Sequence, residues 1–499
     1  MRVIHYGKLC CRISPYKKKQ CKFLEKKTSL FDKVYHKYEP YTGFMLPYHG
    51  ENVFMTHNIS HEDIKKWFPD YVVKEMPVIA PCPLSEKFSM KDVNNLWEAQ
   101  SQILRKIEDT MGKSNAWFVN LQTGQGKTLL ATYVCMKLGL KTWILCYSDN
   151  ILEQWITNYR EKTNIDPKKI IRVDGSILND ILAGVIDPED FDIYLCTPTL
   201  LDRFGSSRCD YKKIEEIFNI CGIGLLIYDE AHRNVSNIVK LNSVMDIKYQ
   251  LYLSADFGQG DYEKEIMYKE IFKAVPVLTP SDELVHSMKY TKIIVMNFNT
   301  HPNHLEEMEP FNKYGYNSNL YMKYQFKKGI IKDLIEYILD TFVISDPNYR
   351  ALILFTNIEH VDKMYKRIKQ HYPKLSVGRF HGSAPPEEKR ETKNHAKIIV
   401  ATYGSFSTGL DAKDIKYVIS TDQCNKVADN QSAGRVRPLS DNSDALYFML
   451  VDNGFTYCKR KLKIRLAYLT KNKAKDDLTY SFNYHPDIHQ GNIPMLGGK

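Results

Sequence analysis

A glycine-rich stretch of the sequence carries residue types that bind phosphate. It reads LQTGQGKT over residues 121–128, after an apolar run and before a segment of helical character. Gly124 and Gly126 would let the backbone turn tightly and point N–H groups at phosphate oxygens, and the amino end of the following helix adds positive charge. In such a loop Lys127 reaches the β- and γ-phosphates of a nucleoside triphosphate, and the Thr128 hydroxyl binds Mg²⁺. The sequence therefore predicts a triphosphate cradle, with a chance glycine-rich turn as the alternative.

An acidic pair lies about one hundred residues further on, at the end of another apolar run. The string LLIYDEAH covers residues 225–232 and places Asp229 and Glu230 directly after the run. A carboxylate in that position can hold the water shell of Mg²⁺, and its neighbour can orient an attacking water. Ligands of open α/β sheets bind outside the carboxyl ends of the strands. We therefore expect the pair to face the phosphate loop at one edge of a sheet.

Short apolar runs that alternate with helical patterns predict the elements that position these residues. Such runs with polar flanks are typical of buried parallel strands, and the alternation indicates βαβ units. A first series lies at residues 116–121, 142–147, 192–197, 225–228 and 249–254, and a second at 292–298, 351–356, 397–402, 417–421 and 445–451. We predict an α/β fold with two parallel sheets in tandem. The stretch 76–88 has three prolines and is predicted to link them to a separate N-terminal module.

Further stretches extend the pattern to a known family. In chain order they are LWEAQ (96–100), ILCYSDNILEQW (144–155), CTPTLLDRF (196–204), LSAD (253–256), ALILFTN (351–357), ATYGSFSTGLD (401–411) and NQSAGRVRP (430–438). Together with the phosphate loop and DEAH, their order and spacing make residues 90–470 resemble a superfamily 2 DEAH/DExH helicase. YGSFSTGLD and QSAGRV are most similar to phage recombination-type helicases. The size, with a short N-terminal module, resembles poxvirus-type transcript-release helicases of large DNA viruses.

The resemblance implies two RecA-like lobes, each a parallel sheet with helices on both faces, that bind ATP and Mg²⁺ between them. The predicted domains are a basic accessory module at 1–88, lobe 1 at 89–275 and lobe 2 at 276–499. The motifs and the resemblance assign catalysis to Lys127, Asp229, Glu230, Gln431 and Arg435 (as arginine finger); ATP binding to Gln100, Thr123, Gly124, Gln125, Gly126, Lys127, Thr128, Gly409, Asp411, Arg435 and Arg437; Mg²⁺ to Thr128 and Asp229; nucleic acid to Thr197, Pro198 and Thr402; and coupling to His232, Ser254 and Asp256.

Three positions depart from the pattern of the family. Leu121 begins the phosphate loop where glycine is usual, but that position mainly packs. Asp256 replaces the threonine of a Ser-Ala-Thr motif, which removes the hydroxyl that usually makes the coupling contact. Pro438 stands where a second arginine of the last motif is expected, with Arg437 one residue earlier. The last two departures keep open a function of a different class, a nucleic-acid-binding scaffold with a weak or degenerate ATPase.

The formal net charge of +10 is the remainder of two basic poles and an acidic body. Residues 1–40 and 454–475 each carry a net charge of +8, and the rest of the chain carries −6. Such basic poles usually bind a polyanion, and nucleic acid is the first candidate and an anionic membrane the second. The alternative is a solvated surface with no charged partner. Two interpretations of residues 459–469 stay equally open. The segment is either a helix that presents Lys and Arg to a nucleic-acid backbone or a helix that docks on lobe 2 and leaves a charged face in solvent. In the first pole the aromatic residues would either stack on bases or form the core of a small module.

The remaining composition sets the expected compartment and partners. Eleven cysteines without CxxC pairs fit reduced thiols in a cytoplasm-like compartment, the host cytoplasm or the virion for a viral protein. No apolar run approaches the roughly 18 residues of a membrane span. We expect a monomer whose partners are nucleic acid, DNA or RNA, and transcription or replication machinery. The predicted function is an ATP-dependent helicase or translocase in viral transcription, replication or recombination. A variant that strips proteins or transcripts without separating strands stays open.

Overall fold

The computed structural model divides the chain into two compact units, residues 1–281 and residues 282–499. A seven-stranded sheet forms the centre of each unit. The structure describes residues 2–6, 10–14, 18–32, 37–40, 43–57, 66–69, 72–75, 78–91, 96–121, 125–233, 235–254, 268–269, 271–273, 275–287, 291–300, 311–312, 315–409, 414–421, 433, 439, 441, 443–472 and 474–483.

The first unit begins with a five-stranded sheet in the order β5-β6-β2-β1-β7. Strands β1 and β7 pair in parallel and the other neighbours are antiparallel. The elements of this N-terminal module are β1 (Arg2–Tyr6), β2 (Cys10–Ser14), α1 (Lys18–Lys27), β3 (Ser29–Asp32), β4 (Lys37–Pro40), β5 (Gly43–Tyr48), β6 (Glu51–His57) and β7 (Val72–Glu75). Burial alternates along the edge strand β5, because Phe44, Leu46 and Tyr48 point into the core and Met45 and Pro47 do not.

Lobe 1 follows as a sheet in the order β10-β11-β9-β12-β13-β8-β14, with every neighbouring pair parallel. Its strands are β8 (Ala116–Asn120), β9 (Thr142–Leu145), β10 (Ile170–Arg172), β11 (Ile193–Cys196), β12 (Leu225–Tyr228), β13 (Tyr249–Ser254) and β14 (Val277–Leu278). Its helices are α2 (Glu98–Thr110), α3 (Lys127–Leu138), α4 (Asp149–Lys162), α5 (Gly175–Leu182), α6 (Pro198–Ser207), α7 (Lys212–Ile220) and α8 (Val235–Val244), with short 3-10 turns at Pro167–Lys169 and Pro188–Asp190.

Both faces of the lobe 1 sheet are buried, which explains why its strands are apolar without alternation. Every side chain of β11 and β12 is buried. One face packs around Trp143 and Tyr194, and the other around Trp117 and Trp155. The carboxyl ends of the parallel strands therefore meet at one edge, where the predicted phosphate loop and acidic pair lie. The prediction of a parallel α/β sheet is confirmed for this part of the chain.

The N-terminal module packs directly on lobe 1. Phe44, Leu46 and Tyr48 of β5 belong to the same buried cluster as α6, α7 and α8 of the lobe. The Tyr211 amide donates to the Pro47 carbonyl at 2.9 Å, and the Tyr48 hydroxyl bonds to Glu215. The module is therefore part of the first compact unit, because its edge strand completes the apolar packing on one face of the sheet.

The proline-rich stretch after the module is anchored along the amino ends of the lobe 1 strands. It has no helix over 78–91, as its prolines predict. Its backbone nevertheless bonds to the lobe, with Cys82 N to Gly222 O at 2.8 Å and Leu84 N to Gly139 O at 2.9 Å. The Ser85 hydroxyl donates to Asp192 at 2.7 Å. Periodicity alone did not indicate these contacts, since they pair the stretch with residues more than fifty positions away.

Lobe 2 repeats the architecture, with a parallel sheet in the order β19-β20-β18-β21-β22-β15-β23. Its strands are β15 (Thr291–Phe298), β18 (Arg350–Phe355), β19 (Val377–Phe380), β20 (Ile398–Thr402), β21 (Ile415–Ser420), β22 (Ala445–Asp452) and β23 (Ala474–Asn483), and β16 (Phe311–Asn312) and β17 (Gly315–Tyr316) form a small hairpin. Its helices are α9 (Asp282–Ser287), α10 (Ser318–Lys328), α11 (Ile330–Ile338) with a π turn at Leu339–Val343, α12 (Ile358–His371), α13 (Pro386–His395), α14 (Tyr403–Gly409) and α15 (Thr456–Asn472).

The basic helix α15 docks on the lobe 2 sheet by its leucine face. Leu469 is buried in the core cluster of that face, and Leu462 and Leu466 pack against it. Lys459, Arg460 and Lys463 are exposed. The leucine face therefore docks on lobe 2, and the exposed basic side stays open to both interpretations of the charge.

One predicted boundary differs from the structure. The first lobe was placed at 89–275, but β14 (Val277–Leu278) pairs with β8 of the lobe 1 sheet. The Phe118 amide donates to the Pro276 carbonyl at 3.0 Å, which brings the strand into register. A two-residue strand gives no periodic signal in the sequence. The first compact unit accordingly extends to Ser281.

Candidate active site

The phosphate loop connects β8 to α3 at the carboxyl edge of the lobe 1 sheet. Gly126 precedes the helix with φ of 73°, in the left-handed region that favours glycine. A Cβ at this position would lie 2.1 Å from Gln100 Nε2. The backbone angle at Gly126 therefore favours glycine, and a side chain at this position would displace the amide of Gln100.

Gln100 is buried against the loop and holds it by hydrogen bonds. Its Nε2 donates to the carbonyls of Gln125 at 3.0 Å and Gly126 at 3.2 Å. Its Oε1 accepts from the Trp97 amide at 2.8 Å, which closes the first turn of α2. The structure thus brings together three residues that the sequence assigned to nucleotide binding, Gln100, Gln125 and Gly126.

Lys127 begins α3 with its side chain turned into the site. Only 8% of the residue is exposed, and Nζ lies 3.3 Å from the Leu121 carbonyl and 3.6 Å from Glu230 Oε1. The Leu121 side chain is fully buried in the core. Leu121 therefore packs, as its position in the motif predicts, and its carbonyl helps to orient the lysine. The adjacent Thr128 lies in the first turn of the same helix.

Asp229 follows β12 and is held from two sides. Its Oδ2 accepts from Trp155 Nε1 at 2.8 Å, and its Oδ1 accepts from the Glu230 amide at 2.9 Å. Burial raises the pKa of Asp229 to about 6, and the charge of Glu230 adds to the rise, whereas Lys127 and the Trp155 bond oppose it. A buried carboxylate that titrates near neutral pH beside a lysine is a feature of functional sites.

Glu230 connects the lysine to a histidine. Its φ is 50°, an unusual left-handed conformation for a residue with a side chain. Its Oε2 lies 3.3 Å from His232 Nδ1, and the same nitrogen lies 2.8 Å from Ser254 Oγ. Burial lowers the pKa of His232 to about 4, so the ring is neutral at pH 7. Lys127, Glu230, His232 and Ser254 thus form one continuous chain of contacts.

The predicted nucleic-acid contacts lie where a strand ends and a helix begins. Thr197 caps α6, since its Oγ1 accepts from the Leu200 amide at 3.2 Å, and Pro198 is the first residue of that helix. In lobe 2 Thr402 ends β20, and its Oγ1 donates to Ser405 Oγ at 2.9 Å and accepts from the Ser405 amide at 3.3 Å. Each threonine therefore orders the amino end of a helix, where free N–H groups favour anions.

Several assigned residues lie outside the described part of the chain. Gly409 is described only as the last residue of α14. The residues outside the described ranges are Thr123, Gly124, Asp256, Asp411, Gln431, Arg435, Arg437 and Pro438. The described catalytic residues are accordingly those of lobe 1, Lys127, Asp229 and Glu230.

Two neighbours of the site were missed from the sequence. Trp155 donates to Asp229, and its only signal was its place at the end of the stretch ILCYSDNILEQW. Asn120 ends β8 next to the phosphate loop, and its Oδ1 is buried without a hydrogen-bond partner among the described residues.

Comparison with known proteins assigns the family. Residues 94–258 match the family described as type III restriction enzyme, res subunit, and residues 330–437 match the helicase conserved C-terminal domain. The first range contains the phosphate loop, the DEAH string and six of the seven strands of the lobe 1 sheet, and the second contains four strands of the lobe 2 sheet. The chain belongs to the superfamily 2 helicases. Its two lobes are therefore the RecA-like lobes of an ATP-dependent nucleic-acid helicase.

The helicase has viral relatives at low identity. It is 23% identical over an alignment of 388 residues to a putative ATP-dependent RNA helicase, L396, of Acanthamoeba polyphaga mimivirus. The match covers 75% of this chain and 67% of that protein. It is 25% identical over 282 residues to the ATP-dependent DNA helicase uvsW of Enterobacteria phage T4, covering 52% of this chain and 54% of that protein. The probable helicase D10 of Escherichia phage T5 is 23% identical over 197 residues, and the match spans only 35% of its length.

Solved structures share the fold of the helicase. Dbp5 of S. cerevisiae bound to RNA and ADP BeF3 matches with a TM-score of 0.53 and 12% identity over 78% of this chain and 90% of that chain. Mss116p bound to ssRNA and AMP-PNP matches with a TM-score of 0.50 and 15% identity over 79% of this chain and 75% of that chain. The predicted fold class, two tandem RecA-like lobes, is confirmed.

No helix in the described part of the chain is both long and apolar enough to cross a membrane.

Proposed function

We propose that this helicase is a DEAH-type motor that hydrolyses ATP·Mg²⁺ at the edge of lobe 1 in order to move along nucleic acid. The observation that carries the proposal is the chain of contacts from Lys127 through Glu230 and His232 to Ser254. It joins the residue that binds phosphate to the end of β13 through a carboxylate suited to orient water. A change at the triphosphate can therefore be transmitted to another strand of the sheet.

Lys127 would exchange one anionic partner for another when ATP binds. Its ammonium now lies 3.6 Å from Glu230 Oε1 in a mostly buried site. The phosphates of ATP would attract the lysine more strongly than one carboxylate, because they carry more charge at short range. Glu230 would then be released to orient the attacking water, in the role that the DEAH string assigns to it.

The residues of the site fit Mg²⁺ held by few protein ligands. Among the described residues no group of three or more His, Cys, Asp or Glu side chains gathers to hold a metal. Mg²⁺ commonly uses one or two protein oxygens and completes its shell with water and phosphate oxygens. We assign those two to the hydroxyl of Thr128 and the carboxylate of Asp229, which Trp155 orients at 2.8 Å. When bound, the ion would neutralise charge that develops on the phosphates.

The nucleic acid along which the motor moves would be bound through its phosphates. Thr197 and Thr402 each cap a helix at the carboxyl edge of a sheet. Such helix ends bind phosphate oxygens and do not read base sequence. One viral relative is named as an RNA helicase and another as a DNA helicase. We propose a single-polypeptide motor that acts in viral transcription, replication or recombination, in the host cytoplasm or the virion.

The test is the rate of ATP hydrolysis without polymer and with single-stranded DNA, duplex DNA or RNA. We expect at least one polymer to raise the rate, and the polymer that does so identifies the track. A strand-displacement assay beside a triplex-displacement assay then separates unwinding from translocation. A rate that no polymer changes would favour the scaffold with a degenerate ATPase.

A further inference from the structure

A cavity of about 840 Å³ lies between the N-terminal module and lobe 1, within the first compact unit. Helix α1 and the edge strand β5 form the side that belongs to the module, and residues of α6 and α8 form the other side. Pockets that bind small organic groups commonly measure about 300–1,000 Å³. The cavity is therefore large enough for one nucleotide unit, and it is separate from the phosphate loop.

The walls of the cavity are fixed by direct bonds between the module and the lobe. The Tyr211 amide donates to the Pro47 carbonyl at 2.9 Å, and the His49 amide donates to Asp210 Oδ1 at 2.7 Å. Tyr48 also bonds to Glu215. Because these contacts hold β5 against the lobe, the cavity is preformed, and binding would cost little ordering of the protein.

Positive charge dominates the rim of the cavity. Lys22 and Lys26 lie one helical turn apart on α1, and both are exposed. No ion pair to either lysine occurs among the described residues. Lys240 belongs to lobe 1 and forms an ion pair with Asp202 at 3.1 Å. Glu25 is the acidic residue that lines the cavity. The ammonium groups of Lys22 and Lys26, without an ion pair to the described residues, therefore remain for phosphate.

The wall that β5 contributes is apolar. Met45 and Pro47, the residues of β5 that do not point into the core, line the cavity. Phe44 of the same strand is buried, and its ring lies 5.3 Å from Lys240 Nζ in a cation–π contact. A nucleobase presents an apolar face together with polar edges, and aromatic and apolar side chains in basic grooves bind such faces without reading sequence. A single strand can place a base there, whereas the bases of a duplex are stacked and paired.

We propose that this cavity holds one nucleotide unit of single-stranded nucleic acid, with its phosphates on Lys22 and Lys26 and its base against Met45 and Pro47. The inference rests on the proposed function, because the strand would be the one on which the motor acts. The cavity would then retain the strand at a point away from the ATP site and would act as a second grip.

The first experiment is lysine footprinting of the full chain with an amine-acetylating reagent and mass spectrometry, with and without a saturating oligo(dT). We expect the oligonucleotide to protect Lys22 and Lys26, and to leave Lys27 and Lys87 reactive, since these two exposed lysines do not line the cavity. Equal reactivity of Lys22 and Lys26 with and without oligonucleotide would overturn the proposal. So would equal protection by inorganic phosphate at the same phosphate concentration, because that requires no strand.

The second experiment compares the double variant Lys22→Gln/Lys26→Gln with the matched control Lys27→Gln/Lys87→Gln. Each phosphate contact to a single strand contributes about 0.7 to the slope of log affinity against log salt. We expect the cavity variant to lose about 1.4 from that slope and the control to lose less than half as much. Equal losses in both variants would show only general surface charge and would contradict the site.

Failure of this inference can be told apart from failure of the motor. Neither Lys22 nor Lys26 belongs to the ATP site, so hydrolysis without polymer should be unchanged in the double variant. Protection of Lys22 and Lys26 should also persist in Lys127→Ala, whose hydrolysis is lost. A motor that works without protection of these lysines would refute the cavity alone.

Discussion

At the scale of single residues, the site is defined by polar groups that are buried and held in place. Asp229 has a pKa of about 6 because burial penalises its charge, and the Trp155 N–H bond partly offsets that penalty. His232 is neutral at pH 7 because burial lowers its pKa to about 4. Asp229 is therefore expected to become protonated in the pH range just below neutral.

The pH dependence of ATP hydrolysis should report Asp229. The group must be ionised to hold a cation, so we expect kcat/KM to fall as pH drops through about 6. In Trp155→Phe a bond to the charged form is lost, which raises the pKa further, so the acidic limb should move to higher pH. The measurement is a pH–rate profile of both proteins. An acidic limb that stays in place in Trp155→Phe would contradict the role of this bond.

Gly126 offers a second test at this scale. Gly126→Ala introduces a side chain at positive φ and also pushes against Gln100, whose Nε2 would lie 2.1 Å from the new Cβ. Gly139 at the other end of α3 has φ of 61° and open space around it, so Gly139→Ala carries the backbone cost alone. In either variant, the positive φ should lower the free energy of unfolding by about 1–2 kcal/mol, and urea unfolding measures this loss.

The two variants should differ in nucleotide binding. We expect Gly126→Ala to weaken ATP binding because it displaces Gln100 from the loop, and Gly139→Ala to leave the affinity unchanged. The measurement is the dissociation constant of a fluorescent ATP analogue. Equal affinities in both variants would show that the contact between Gln100 and the loop does not matter for binding.

At the scale of elements, helix α15 shows what the sequence predicted and what it did not. The spacing of Leu462, Leu466 and Leu469 predicted the buried face, and the structure places all three against the lobe 2 core. Arg465 was counted among the basic residues of the pole, yet it is only 1% exposed, and its Nη2 lies 3.4 Å from Ser420 Oγ. The sequence did not indicate this burial because its partner comes from β21, a distant strand.

Stability should follow the docked face of α15. Leu469→Ala removes a fully buried side chain, and we expect it to lower the free energy of unfolding by about 2–5 kcal/mol. Ile464 in the same helix is 52% exposed, so Ile464→Ala should cost much less. Urea unfolding of both variants decides the matter. Similar losses in the two would indicate that the helix does not dock by its leucine face.

At the scale of the whole molecule, the sequence predicted the two sheets and the edge at which the chemistry lies. Continuous apolar strands and glycine-rich turns are local signals, so β8, the phosphate loop and β12 could be placed in advance. Contacts between segments that are distant in the sequence could not be predicted in this way. The packing of β5 on α6, α7 and α8 and the bonds of residues 78–91 depend on tertiary neighbours. The described parts of the N-terminal basic pole therefore belong to a module that packs on lobe 1.

We propose that Lys127 and its contacts form the working site of an ATP-driven motor on nucleic acid. The most direct measurement is ATP hydrolysis in the presence of the best polymer, for the wild type, Lys127→Ala and Lys137→Ala. Lys137 lies in the same helix but is exposed and pairs with Glu108, so it serves as the control. We predict that Lys127→Ala falls to background while it still binds polymer, and that Lys137→Ala matches the wild type. Normal turnover by Lys127→Ala would contradict the role of Lys127 in ATP hydrolysis.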